Sequence, residues 1–324
     1  MRSLNFMNMP LEMLMKFLFK MKAFIILFLA TLLACGQTQD KTINIVQADK
    51  TLKATTTNPK DALNEYQRFF LKLDTLSVET VTTAAKKYQE VFSSEDVETR
   101  DEGYIIFNSY YLRLTESINV AHAKDTTNFE PLIFLDASGK SLPISLKLKA
   151  YSDRLTRNGF QISSTEGMSY IKQDREYIEK WFYKHVSTTM KSYLQQLNKE
   201  NKEGFQEDAG LTIEPKQFVD RLNWWDNFIL NNLNFALVNA AVEHRKQLLT
   251  TFLVGMDNSP IIDYDTNKLS EYFKIAYTYL QNNYPNSETN KATKPYFKAL
   301  LKGQNANANA LISRYKTGGI ILDF

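Results

Sequence analysis

The chain of 324 residues is 44% hydrophobic and 13% aromatic, with 39 basic and 36 acidic side chains, three histidines and one cysteine. Arg2, Lys16, Lys20 and Lys22 against Glu12 place the whole +3 surplus within residues 1–34, which leaves 35 basic and 35 acidic side chains beyond them. A neutral remainder argues against nucleic acid as a partner, because phosphate binding needs clustered Lys and Arg, and a lone cysteine excludes disulfides and thiolate metal sites.

Lys20 and Lys22 precede an apolar run from Ala23 to Ala34, which closes as Leu32-Leu33-Ala34-Cys35. About 12 apolar residues fall short of the roughly 20 that span a bilayer, so the run reads as a secretory signal, residues 1–34. The pattern resembles the lipobox of bacterial lipoproteins. The resemblance implies that Cys35 is acylated, becomes the first residue of the mature chain and holds it on a membrane. It implies a cell-envelope location facing the periplasm or the exterior, with the outer membrane favoured, and it says nothing of activity. The segment from Met21 already contains a complete signal, so residues 1–20 read as an over-extended start. Residues 35–57 are polar, rich in Thr, Gln, Asp and Lys, and read as a flexible tether to a globular remainder, 58–324.

Asn58-Pro59 has the form of a helix start, followed by Ala62, Tyr66, Phe69, Phe70 and Leu73 at helical spacing. Ser77 opens a second helix with Val81, Ala84, Ala85, Tyr88 and Val91, and a third runs from about Ser94 to Ala121. The pattern then changes. Residues 131–135 and 142–144 read as strands about a turn at Asp136-Ala-Ser-Gly139-Lys140, Leu146 to Arg157 as a helix, and Phe160–Ser163 with Met168–Ile171 as a hairpin. Helical spacing resumes over 176–197 and 215–229, breaks at Asn231-Asn232, and continues over 235–254, 269–282, 288–302 and 306–316. Gly318-Gly319 leads into a strand-like apolar tail. Tyr277, Leu280 and Asn283-Tyr284-Pro285-Asn286-Ser287 are similar to the end of one tetratricopeptide-type repeat, but no second copy follows at a period near 34.

These elements predict a mainly α fold: an irregular bundle of nine or ten helices in antiparallel pairs, with a small α/β insert at about 130–171. A split near residue 172, into 58–171 and 172–324, is the domain alternative.

Catalytic signatures are sparse. His122, His185 and His244 are far apart, and Glu243-His244 lacks the second histidine of a zinc-protease helix; His122 stands near a helix end, where a cation is favoured, and His185 reads as packed among aromatics. Asp263-Tyr-Asp265-Thr-Asn267 alternates oxygen ligands but has Lys268 where a calcium loop needs glycine, so it reads as a solvated loop with Asx-type turns. No serine-nucleophile motif or Gly-rich phosphate loop is present, and no cofactor is implied.

Two groups remain as site candidates. The aromatics Trp181, Trp224, Trp225 and Tyr170, with Tyr177, Phe182, Tyr183 and Phe228, offer stacking faces for a sugar or an apolar ligand, although aromatics at helical spacing are commonly core. The carboxylates Glu166, Asp174, Glu176 and Glu179, with Glu207 and Asp208, allow a glycosidase-like pair to be drawn. The favoured expectation is a non-enzymatic, lipid-anchored binding or scaffolding module that takes an envelope protein, peptide or other ligand in an apolar and aromatic groove. The alternative is an envelope hydrolase acting on glycan or peptide through two carboxylates.

Overall fold

The computed structural model describes residues 59–165 and 167–323. The lipobox, Cys35, the tether and Glu166 lie outside the described residues. Within them are eleven α-helices and three two-stranded antiparallel ribbons, so the fold is mainly α with a small α/β insert. Among these residues, no helix is long and apolar enough to cross a membrane.

Helices α1 (Pro59–Phe70), α2 (Glu79–Phe92) and α3 (Val97–His122) pack first. Their apolar rows meet at Tyr66, Val81, Ala84, Tyr88 and Phe107, all essentially inaccessible to solvent. Tyr66 is kept in this apolar interior by donating its hydroxyl to the Ala84 carbonyl at 2.8 Å. Asp96 starts α3 by accepting from the Thr99 N–H at 2.7 Å.

The insert holds α4 (Leu146–Arg157) and the hairpin β1 (Phe160–Thr165) with β2 (Met168–Gln173), in register from Phe160 opposite Gln173 to Thr165 opposite Met168. Its free edge is completed by a side chain. The Asn119 amide on α3 donates to the Ile171 carbonyl at 2.7 Å and accepts from the Ile171 N–H at 2.8 Å. Gly159 enters β1 at φ 88°, and a Cβ there would stand 2.8 Å from both Tyr111 Oη and Tyr177 Cγ. Only glycine fits both conditions.

The strand pair expected at 131–144 is not a hairpin. A 3₁₀ turn, Glu130–Leu132, and a single bridge between Leu135 and Ser141 stand in its place. Asp136 Oδ1 gathers the backbone N–H groups of Ser138 and Lys140 at 2.8 and 2.9 Å, forming a tight Asx loop. Phe134 and Leu135 are left 46% and 62% exposed, with no sheet to cover them.

The helix expected over 176–197 is two helices, α5 (Arg175–Phe182) and α6 (Thr188–Glu203). Ser187 makes the break: its hydroxyl caps α6 by accepting from the Met190 N–H at 3.0 Å and donates to buried Asp101 on α3 at 2.5 Å. The second half follows as α7 (Pro215–Asn231), α8 (Val238–Val254), α9 (Glu271–Asn283), α10 (Glu288–Leu301) and α11 (Asn305–Thr317). Two very short ribbons, Gln206–Glu207 with Gly210–Leu211 and Gly255–Met256 with Ser259–Pro260, join these helices and bond to each other through Ser259 Oγ and the Leu211 N–H at 2.8 Å. The tail after Gly319 is not a strand. It folds back on α8, burying Ile321 and giving the Leu322 N–H to Thr250 Oγ1 at 3.0 Å. Apart from Phe129 and Leu148 in the insert, the buried apolar side chains from Ala62 to Ile321 form one connected core.

Candidate ligand groove

Helices α6 and α7 bury Met190, Leu194, Leu222 and Trp225 in the core, and the Tyr193 ring of α6 stands 5.7 Å from that of Trp225. Their outward rows diverge and leave a groove of about 520 Å³. Ser192, Gln196, Lys199 and Glu203 come from α6, and Gln217, Asp220, Arg221, Asn223, Trp224, Asn227, Phe228 and Asn231 come from α7, with Asn232 and Tyr284 at the ends. Both sets recur at three- and four-residue steps, so each is one helical face. The groove is therefore polar, not the apolar and aromatic groove expected: the apolar faces are consumed by the core and the amide faces are turned out.

Its aromatic element is a stacked pair. Trp224 lies half-buried and nearly parallel to Phe228, with ring centroids 4.9 Å apart and planes 12° apart. Trp225 stands at 83° to Trp224 with its centroid 4.9 Å away, and it is fully buried. Around the pair, the side-chain amides of Gln217, Asn223 and Asn227 make no hydrogen bond to the described protein, while Asn231 donates to the Asn227 carbonyl at 2.8 Å. The four charges on the groove wall, Lys199 and Arg221 against Glu203 and Asp220, cancel formally. Asp220 accepts from the Tyr284 hydroxyl at 2.7 Å, a bond that holds the Tyr284 phenol well above its ordinary pKa.

The floor is a buried polar network. Glu200, 7% exposed, accepts from Trp225 Nε1 and Gln196 Nε2 on Oε1, at 2.7 and 2.8 Å, and faces His244 Nε2 on Oε2 at 2.7 Å. Burial pushes this carboxyl up, but the hydrogen bond and charge of His244, with Arg221 and Gln196, outweigh it and hold Glu200 below the usual carboxylate range. Arg221 spans to the rim: its Nη2 donates to Glu203 Oε2 and to the Gly204 carbonyl, both at 3.0 Å, and its Nε lies 3.9 Å from Glu200 without a hydrogen-bond partner. Beneath, Asp226 accepts from Arg245 Nε at 2.8 Å and from the Thr289 N–H at 2.7 Å, tying α7 to α8 and α10.

The four aromatics singled out from the sequence fall in three places. Trp224 lines the groove, and Trp225 holds its floor through Glu200. Trp181 is half-buried on α5 against Tyr177, 5.9 Å between centroids, with the Lys180 ammonium 5.8 Å above its ring. Tyr170 is 36% exposed on β2 opposite Ser163. No ring contact joins either of these to the Trp224 cluster among the described residues.

Of the carboxylates from which a hydrolytic pair was drawn, Asp174 and Glu176 have structural partners. Asp174 caps α5 through the Glu176 N–H at 3.0 Å, and Glu176 pairs with Lys202 at 2.7 Å. Asp263 accepts from the Thr266 N–H and hydroxyl at 2.8 and 2.7 Å, an Asx turn. His122 does not behave as a helix-end cation. Its ring is buried 4.4 Å from Phe129, and burial lowers its pKa, with Asp125 opposing. Its Nε2 meets Ser169 Oγ at 3.0 Å, but Nδ1 has no partner, so this hydroxyl–imidazole pair lacks the orienting group that a nucleophilic triad requires. His185 packs 6.3 Å from Tyr88.

Sequence reasoning missed Glu200, Arg221 and the amides of α7, and weighed His244 only as a zinc ligand. The spacing of Asn223, Asn227 and Asn231 at four-residue intervals was the one available signal. Comparison with family models, with curated proteins and with solved structures finds no match to this chain.

Proposed function

We propose that this chain is a lipid-anchored binding protein of the cell envelope, whose mature helical domain takes an uncharged polar ligand in the groove between α6 and α7. The single observation that supports the binding role is the stacked Trp224–Phe228 pair beside the amides of Gln217, Asn223 and Asn227, which bond to no described residue. An aromatic surface beside open donors and acceptors stabilises a polar ligand with an apolar face, and the cancelling wall charges favour neutral over ionic ligands. The buried network beneath gives the wall a fixed shape, which lowers the ordering cost of binding. Envelope placement follows from the lipobox resemblance, with Cys35 as the acylated residue.

The test is a tryptophan-fluorescence titration of the purified full chain in detergent, with a panel of uncharged peptides and a panel of neutral oligosaccharides as probes. A saturable change that disappears in Trp224→Ala supports the reading. Saturable binding that Trp224→Ala leaves intact places the ligand elsewhere and overturns it.

A further inference from the structure

We infer that the ligand of this groove is a polypeptide segment in extended conformation, read chiefly through its backbone by the amide row Asn223, Asn227 and Asn231. The inference rests on the groove being the ligand site, as proposed above, and adds the chemical class.

Four helical residues rise about 6 Å, and i,i+4 side chains stand about 5–6 Å apart at Cβ. An extended chain repeats every two residues, about 6.6–6.8 Å. The row therefore presents one amide for each two-residue repeat, with a mismatch small enough for side-chain rotation to absorb over three steps. Its slant to the helix axis also has a counterpart, since rows at four-residue spacing run obliquely and extended strands twist.

The chemistry matches the spacing. Each Asn carries a donor and an acceptor in one plane, the complement of a backbone C=O and N–H. Asn223 and Asn227 leave both functions open, and Asn231 leaves its Oδ1. Successive side chains of an extended peptide point to opposite faces, so every second one would face the wall, where Trp224 and Phe228 offer an aromatic seat one position from Asn223 and Asn227. The wall carries two positive and two negative charges, which selects no charged side chain.

The test uses the full chain in detergent, a synthetic library of uncharged octapeptides and the same neutral oligosaccharides. The inference expects octapeptides to bind. N-methylation of alternate backbone amides in a binder should then weaken it about fivefold or more for each amide that faced the row, since each removes a donor and leaves its partner in the row unsatisfied. Methylation of the intervening amides should change little. Asn227→Ala, at an exposed position that does not bear on folding, should weaken every binder by a similar factor whatever its sequence.

Oligosaccharide binding that depends on Trp224, with no peptide binding, overturns the peptide assignment and leaves the groove as the site. Peptide binding that is unmoved by both N-methylation and Asn227→Ala overturns the backbone readout. Binding of neither class overturns the peptide inference and the groove reading together.

Discussion

At the scale of single residues the second half of the molecule turns on Glu200. A carboxylate this buried is tolerated because Trp225, Gln196 and His244 occupy its oxygens. Glu200→Ala is therefore expected to cost about 3–5 kcal/mol, read as a lower urea midpoint, because it strands the Trp225 N–H in the core and removes the carboxylate charge 3.9 Å from the buried Arg221. Glu203, on the rim and partly solvated, should cost about 1 kcal/mol or less on the same change. Acid tests the Glu200 contribution directly. Glu200 is held below the ordinary value of 4.5, so its ionised form is favoured more in the folded than in the unfolded chain. Its contribution is complete above that value and is lost as pH falls through the lower folded one. The stability gap between wild type and Glu200→Gln should accordingly narrow on going from pH 7 to pH 3.5. Gly159→Ala tests a different constraint. Positive φ and two contacts at 2.8 Å predict a loss of about 1–3 kcal/mol, unrelieved by pH.

At the scale of elements, Ser187 decides where one helix ends and the next begins. Its hydroxyl both caps α6 and reaches Asp101, so Ser187→Ala should cost about 1–2 kcal/mol in thermal unfolding, with the loss concentrated in amide protection at the start of α6. That break was hidden in the sequence because Trp181, Phe182, Val186 and Met190 keep helical spacing across it. The remaining helices were legible for the same physical reason that misled there: burial on one face forces apolar residues into rows three and four apart. The 131–144 strands were misread because Phe134 and Leu135 suggest burial that the structure does not supply. Of the groove, only Trp224 and Phe228 were legible. Glu200 lies 25 residues from Trp225 and 44 from His244, and no local pattern signals that these meet. The amide row carries no hydrophobic period at all, so a search for buried faces passes over it.

At the scale of the whole molecule, the proposed attachment is through acyl chains on Cys35. Among the described residues no helix is long and apolar enough to span a bilayer, and residues 35–324 are formally neutral, with 35 charges of each sign. Each buried methylene contributes about 0.8 kcal/mol, so one acyl chain binds only marginally and the several that the resembled class carries bind stably. Cys35→Ser should therefore move the chain from a carbonate-washed membrane pellet to the soluble fraction, and the mass of the wild-type amino-terminal peptide should exceed that of its residues by the acyl groups. The groove variants make the control, since Trp224→Ala changes a helix face far in sequence from Cys35 and should leave fractionation unchanged. Wild-type chain that stays soluble, or Cys35→Ser chain that remains with the membrane after washing, would remove the acyl anchor from the account.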